Sequence, residues 1–382
     1  MEDVVAAARQ LGPEIRAASD QIELERRLPE AIANAMAVRG LLGLLTPAAY
    51  GGVEAEPTTA MRAVEEIGRA DGSAGWLALN GSYEAALLGW LSAETIAAMR
   101  SADPQLRVVG ATRPQGTAYG VDGGYRASGR WDFVSGVTHA NWVLGGVVVL
   151  DGRGGEPQRL ANGEPVTRIV FVPRDAGTVI DTWDTMGMRG TGSHDFTLEE
   201  EFVPSARTMS PTEPSPFSGP RYREPYWDLW GWTLHGANSL GIARGALDDL
   251  RALPGQRPSR TSPAVLQDRP VVQAAAGEAE AIVRGARAFL FESVQAAWTA
   301  ACADADNAVR VSQDARLALT HAVLESRRAV GLIYDAVGAN AIFREHRIER
   351  AFRDLSVAQH HLAASRQHYE SAGSVLLASD GS

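Results

Sequence analysis

The stretch VDGGYRASGRWDFVSGVTHANWVLGG, Val121 to Gly146, opens on a glycine turn and runs on as an alternating segment through Trp131 and Phe133. After a short polar break it resumes as the apolar run WVLGGVVVL. Two-residue alternation rich in aromatic and β-branched residues, bounded by Gly, Asp and Asn, predicts short strands. The same pattern extends over 104–211, through LRVVGAT, TRIVFVP, GTVIDTWD and HDFTLEEEFVP. This region is expected to be an antiparallel β-barrel or sandwich.

On both sides the apolar period changes from two to about 3.6. Residues 1–103, with TTAMRAVEEIGRA and SAETIAAMRSA broken at TPAAYGG and ADGSAG, predict an N-terminal helical domain. Residues 212–226 are rich in proline and predict a linker or a flap over a cleft. Residues 227–382 carry long stripes of small apolar side chains, such as Val272, Ala279 and Ala286 and then Val311, Ala315, Ala318 and Ala322, which predict a helical bundle.

The chain of 382 residues is 45% apolar and 21% charged, an ordinary globular balance. Its net charge of -10 argues against nucleic acid or an anionic membrane as the main partner. Every basic residue is arginine, which excludes Schiff-base and P-loop lysine chemistry. A single cysteine, Cys302, can form neither an intrachain disulfide nor a multi-cysteine metal site, and no apolar run is long enough to span a bilayer. A cytoplasmic enzyme acting on small molecules is expected. RGTGSHD lacks the third glycine of a dinucleotide fingerprint. His346, His360, His361 and His368 lack carboxylates at ligand spacing, so no metal is expected.

The order of helical domain, β domain and bundle is accompanied by MGMRGTGSHDFTLEEEFVP, GANSLGIARGAL and RIERAFRDL. Over nearly the whole chain this resembles the acyl-CoA dehydrogenase superfamily. The resemblance implies an α+β fold with an N-terminal α-helical domain, a middle antiparallel β-barrel and a C-terminal four-helix bundle. Dehydrogenases of that superfamily place a glutamate base eight residues after the Asp of the RD motif, and here that position is Leu362. The alternative base position falls on Gly231. What stands nearby is His361, seven residues after Asp354, and this spacing, with SGVTHANW, resembles the reduced-flavin-dependent, two-component monooxygenase branch.

That branch implies an oxygenase component using reduced FMN or FAD, supplied by diffusion from a separate flavin reductase, with O2 as co-substrate through a C4a-hydroperoxyflavin. His361 would face flavin and substrate and deprotonate the latter, and Ser135 would bond the flavin N5 edge. Thr112, Arg260 and Gly338 would contact the cofactor, with Trp131 and Phe133 placed where an isoalloxazine could lie. Asn80 and Tyr83 occupy the window of a substrate-binding histidine found in phenol-hydroxylating members. A homotetramer is implied. The competing expectations are an acyl thioester dehydrogenase with a base from Glu224, Asp228 or Glu370, and a non-catalytic flavin-binding homologue.

Overall fold

The computed structural model describes residues 3–102, 104–210, 212–253 and 266–377. Five helices come first: α1 (Val4–Glu25), α2 (Glu30–Val38), α3 (Pro57–Ala70), α4 (Gly72–Ala86) and α5 (Ala93–Ala102). Seven strands follow: β1 (Val108–Val121), β2 (Gly124–Val134), β3 (Trp142–Leu150), β4 (Thr167–Pro173), β5 (Thr178–Ile180), β6 (His194–Pro204) and β7 (Thr208–Met209). The chain then forms α6 (Leu229–Ala252), α7 (Pro270–Ala303), α8 (Ala308–Val337), α9 (Arg347–Ala358) and α10 (Gln367–Leu377). No helix among the described residues is long and apolar enough to cross a membrane.

The strands form one sheet in the order β5-β6-β2-β1-β3-β4-β7. The expected all-antiparallel barrel is corrected in one respect, since β3 runs parallel to β1. The loop from Ser135 to Asn141 carries the chain across to the far side of β1, so the sheet is mixed. It leaves β5 and β7 as edges.

Trp131, 1% exposed, fills the middle of the sheet's core. Its indole Nε1 donates to the Gly146 carbonyl at 2.8 Å, and Gly116, Gly129 and Gly145 leave room for the ring. The expectation that Trp131 faces a flavin is therefore overturned. The register shift between Trp131 and Val134 breaks the alternation that would have put Trp131 and Phe133 on one face.

The small residues of GANSLGIARGAL have a packing reason. Gly241 and Gly245, one turn apart on α6, lie against the backbone of Glu65 and Arg69 on α3, where a Cβ would collide. Gly68 and Gly75 make the same close approach to Asn238, whose amide donates to the Gly72 carbonyl at 3.2 Å. Helices α3, α4 and α6 are thereby fixed as one block.

The proline-rich segment before α6 is packed too: Tyr222 stacks on Phe217 at 5.4 Å, and Tyr226 on Trp230 at 5.4 Å. A single continuous helix over Ile348 to Leu377 does not form. Helix α9 ends at Ala358, a 3-10 turn spans Leu362–Ala364, and α10 begins at Gln367. Leu362, at the position of the missing glutamate, is 64% exposed.

Asp354 binds these parts together. Its Oδ1 accepts the Met188 amide at 2.5 Å, its Oδ2 faces Gly72 at the start of α4, and Gly187 lies against the Arg353 backbone. Arg353 ties the same junction to Glu23 at 2.9 Å, to Glu349 at 2.7 Å and to the Met186 carbonyl. Burial, reinforced by the nearby Asp71, pushes the Asp354 carboxyl up to about 7. The unfolded chain loses that proton near 3.8, so the folded state holds the extra proton between the two values. The contribution of Asp354 therefore weakens as pH rises from about 4 to about 7. Asp354→Asn, which cannot ionise, is expected to gain on the native chain by on the order of 2 kcal/mol between pH 5 and pH 8 in urea unfolding. An equal response of both proteins to pH would refute the buried, proton-holding carboxyl.

Candidate active site

Helix α4 presents Trp76, Asn80 and Tyr83 at i, i+4 and i+7, one stripe of its surface. Asp71 caps this helix by accepting from the Ala74 amide at 3.0 Å. At the upper end of the stripe, Trp76 Nε1 donates to Ser135 Oγ at 3.0 Å. Ser135 Oγ lies 2.7 Å from Ser193 Oγ, which lies 2.7 Å from Thr191 Oγ1, and Thr191 Oγ1 donates to the Met188 carbonyl at 2.9 Å. A chain of hydroxyls thus runs from Trp76 to Met188, the residue whose amide sits on Asp354.

Beside Ser135 the backbone is strained. Phe133 has φ +59°, a conformation that side-chain-bearing residues avoid at a cost of about 1–3 kcal/mol. Its ring is 63% exposed and meets Trp183 edge-on at 6.0 Å. Ser135 follows at once, and Gly136, at φ +75°, donates its amide to the Thr191 carbonyl at 2.8 Å.

Three rings meet opposite Ser135. Trp76 and His235 of α6 stand 5.0 Å apart at 79°, Trp76 and His361 5.3 Å apart at 85°, and His235 and His361 5.4 Å apart at 90°. Each pair is edge-to-face, the favourable geometry for aromatic quadrupoles. His361 begins the 3-10 turn after α9 and caps it, its Nδ1 accepting the Ala363 amide at 3.2 Å. The residue is exposed overall, yet burial of its ring by the surrounding protein pushes its imidazolium down to about 4.

A neutral imidazole whose Nδ1 accepts carries its proton on Nε2. In this tautomer His361 offers a donor at Nε2. His235 is 1% exposed, and burial drives its imidazolium well below the ordinary value. The backbone of Ala358 lies close enough to accept from one of its nitrogens, and the other has no partner among the described residues.

The lower end of the cleft is also polar and aromatic. Gly231 leaves room for the Tyr83 ring, whose hydroxyl lies within reach of Thr112 and Trp232. Burial raises the Tyr83 phenol above its usual value, so it stays neutral. Arg316 pairs with Asp228 at 2.6 Å and stacks over Trp232 at 4.9 Å. His368 approaches Trp232 at 6.2 Å and lies 2.8 Å from the Thr320 hydroxyl. Of the carboxylates considered as a displaced base, Asp228 is committed to Arg316, while Glu224 and Glu370 are exposed.

Contacts thus link Ser135 and His361 through Trp76, and Tyr83 with Thr112, while Asn80 shares the helix face of Trp76 and Tyr83. Gly338 ends α8 at φ +67° on the surface, and Arg260 lies outside the described residues. Trp76, Trp232 and His235 were missed. Trp76 was within reach of helical spacing, one and two turns before Asn80 and Tyr83. His235 carried no motif.

The donor set fits a flavin. An exposed aromatic ring next to hydroxyls and a wall of neutral rings suits a flat, largely apolar tricycle with one hydrogen-bonding edge.

The family model described as the acyl-CoA dehydrogenase N-terminal domain matches residues 3–94, and that described as the C-terminal domain matches 233–366. The chain is 32% identical to an indole-3-acetate monooxygenase of Pseudomonas putida, over 94% of this chain and 90% of that protein. It is 28% identical to the oxygenase component of an FADH2-dependent resorcinol hydroxylase of a Rhizobium species, over 94% and 90%. The crystal structure of a 3-HSA hydroxylase from Rhodococcus superposes with a TM-score of 0.86 at 26% identity, covering 98% of this chain and 97% of that one.

Ser135→Ala would leave the buried Trp76 Nε1 without its acceptor, a loss of about 1–3 kcal/mol. Thermal unfolding should shift down accordingly, together with a change in Trp76 fluorescence. A variant as stable as the native chain would show that the hydroxyl chain does not hold the indole.

Proposed function

Since this chain belongs to the acyl-CoA dehydrogenase family, in its branch of flavin-dependent monooxygenase oxygenase components, we propose that the Trp76–Ser135–His361 cleft takes reduced flavin and a small aromatic substrate together. The enzyme is an oxidoreductase that depends on reduced flavin and on a separate reductase to supply it. When bound, that flavin supplies two electrons to O2, so that one oxygen atom enters the substrate and the other leaves as water.

The chain's own residues divide the remaining work. Phe133 and Thr112 would border the ring, and Ser135 would meet its polar edge. Trp76, Tyr83 and Trp232 would enclose an aromatic substrate, the class named for the relatives that act on indole-3-acetate and resorcinol. His361 would donate from Nε2 to an oxygen atom in the cleft. The observation that carries this reading is the ring triangle beside Ser135, with Leu362 where the dehydrogenases keep their glutamate base.

Packed rings also exclude water, which otherwise diverts the oxygen to hydrogen peroxide. Either FMN or FAD would present the same tricycle to these residues. Exposed Ile342 and Phe343, near Gly338, supply apolar surface for a homotetramer, and the single cysteine suits the cytoplasm.

The test loads the protein anaerobically with reduced FMN or FAD, adds phenol or indole, and admits isotopically labelled O2. Labelled product is expected. In His361→Ala the product formed per flavin oxidised should fall about tenfold or more, with peroxide rising to match. Anaerobic reduction of protein loaded instead with oxidised flavin by an acyl thioester, which leaves as its enoyl form, would overturn the proposal.

A further inference from the structure

His235 is costly where it stands. A phenylalanine would fill the same corner of the ring triangle, whereas a buried imidazole keeps a nitrogen lone pair that no donor among the described residues meets. His235 does not support His361 through a hydrogen bond either, since the two rings meet at 90° and 5.4 Å without one. Nor can the neighbouring polar groups use it: Trp76 Nε1 is spent on Ser135, and His361 Nδ1 on the Ala363 amide.

A neutral imidazole always has one lone pair to offer. In His361 that lone pair is already committed, so within the triangle only His235 has one left. Trp76 and His361 cover two sides of the His235 ring, and of these two only His361 is exposed. The way to the lone pair therefore leads past the His361 ring, which stands in an extended 3-10 cap (φ -67°, ψ 144°) and not inside a helix.

We propose that His235 is a substrate-positioning residue: it accepts a hydrogen bond from the O–H or N–H of an aromatic substrate, after the His361 ring turns aside to admit it. This rests on the cleft being a substrate site, as read above. The two histidines then have opposite duties, His361 donating and His235 accepting. A substrate is held by a hydrogen on its ring substituent, and a methylated analogue of the same shape is discriminated against. Such discrimination is strong where a buried site group would otherwise stay unpaired.

Calorimetric titration of the full-length protein with indole and with 1-methylindole tests this, using native protein, His235→Phe and His235→Asn, each checked by thermal unfolding. The native protein should bind indole about tenfold more tightly, the equivalent of one hydrogen bond of about 1.4 kcal/mol. His235→Phe should bring the two affinities within about twofold, mainly by weakening indole. His235→Asn, which keeps an acceptor, should restore part of the preference. An undiminished preference in His235→Phe, or none in the native protein, would overturn the proposal. Failure of the oxygenase reading shows separately, as absent labelled product alongside an intact binding preference.

Discussion

The Met188 amide donating to Asp354 joins the long loop before β6 to the last helices of the chain, and the cleft depends on that junction. From Met188 the hydroxyls of Thr191, Ser193 and Ser135 lead to the Trp76 indole. From Asp354 the chain needs only seven residues to reach His361. Gly72, facing the same carboxyl, starts the helix that carries Trp76, Asn80 and Tyr83. Three walls from distant parts of the sequence are thus set from one buried carboxyl, and a shift there moves all three.

The site so held is neutral. Burial lowers both histidines and raises the Tyr83 phenol, so in neutral solution none of them carries charge. The charged groups, Arg316 and Asp228, cancel one another at the lower end. Neutral rings fixed in edge-to-face contact suit a flat apolar cofactor and its substrate, with little room left for water. Hydrogen-bond direction then does what charge does elsewhere. The Ala363 amide, by occupying His361 Nδ1, decides which edge of that ring can donate.

Much of this was legible in the sequence because periodicity and spacing are local. The helix–strand–helix order followed from the apolar period, and the distance from Asp354 to His361 followed from counting. What escaped was non-local. Trp131 read as a flavin contact because alternation paired it with Phe133, and only the bulge between Trp131 and Val134 separates them. The parallel pairing of β1 with β3 depends on where a loop crosses, which no strand pattern encodes. His235 has no spacing relation to His361, because they meet through the packing of α6 against the end of α9. The bond that occupies His361 Nδ1 is equally hidden from spacing, since its donor is a backbone amide.

A crystal structure of the protein with FMN or FAD bound tests the central claim most directly. The account predicts the isoalloxazine against Phe133, its polar edge on Ser135, with His361 and Trp76 facing the space beside it. A ring bound elsewhere, or one that leaves Ser135 and His361 without contact to the shared cleft, would contradict it.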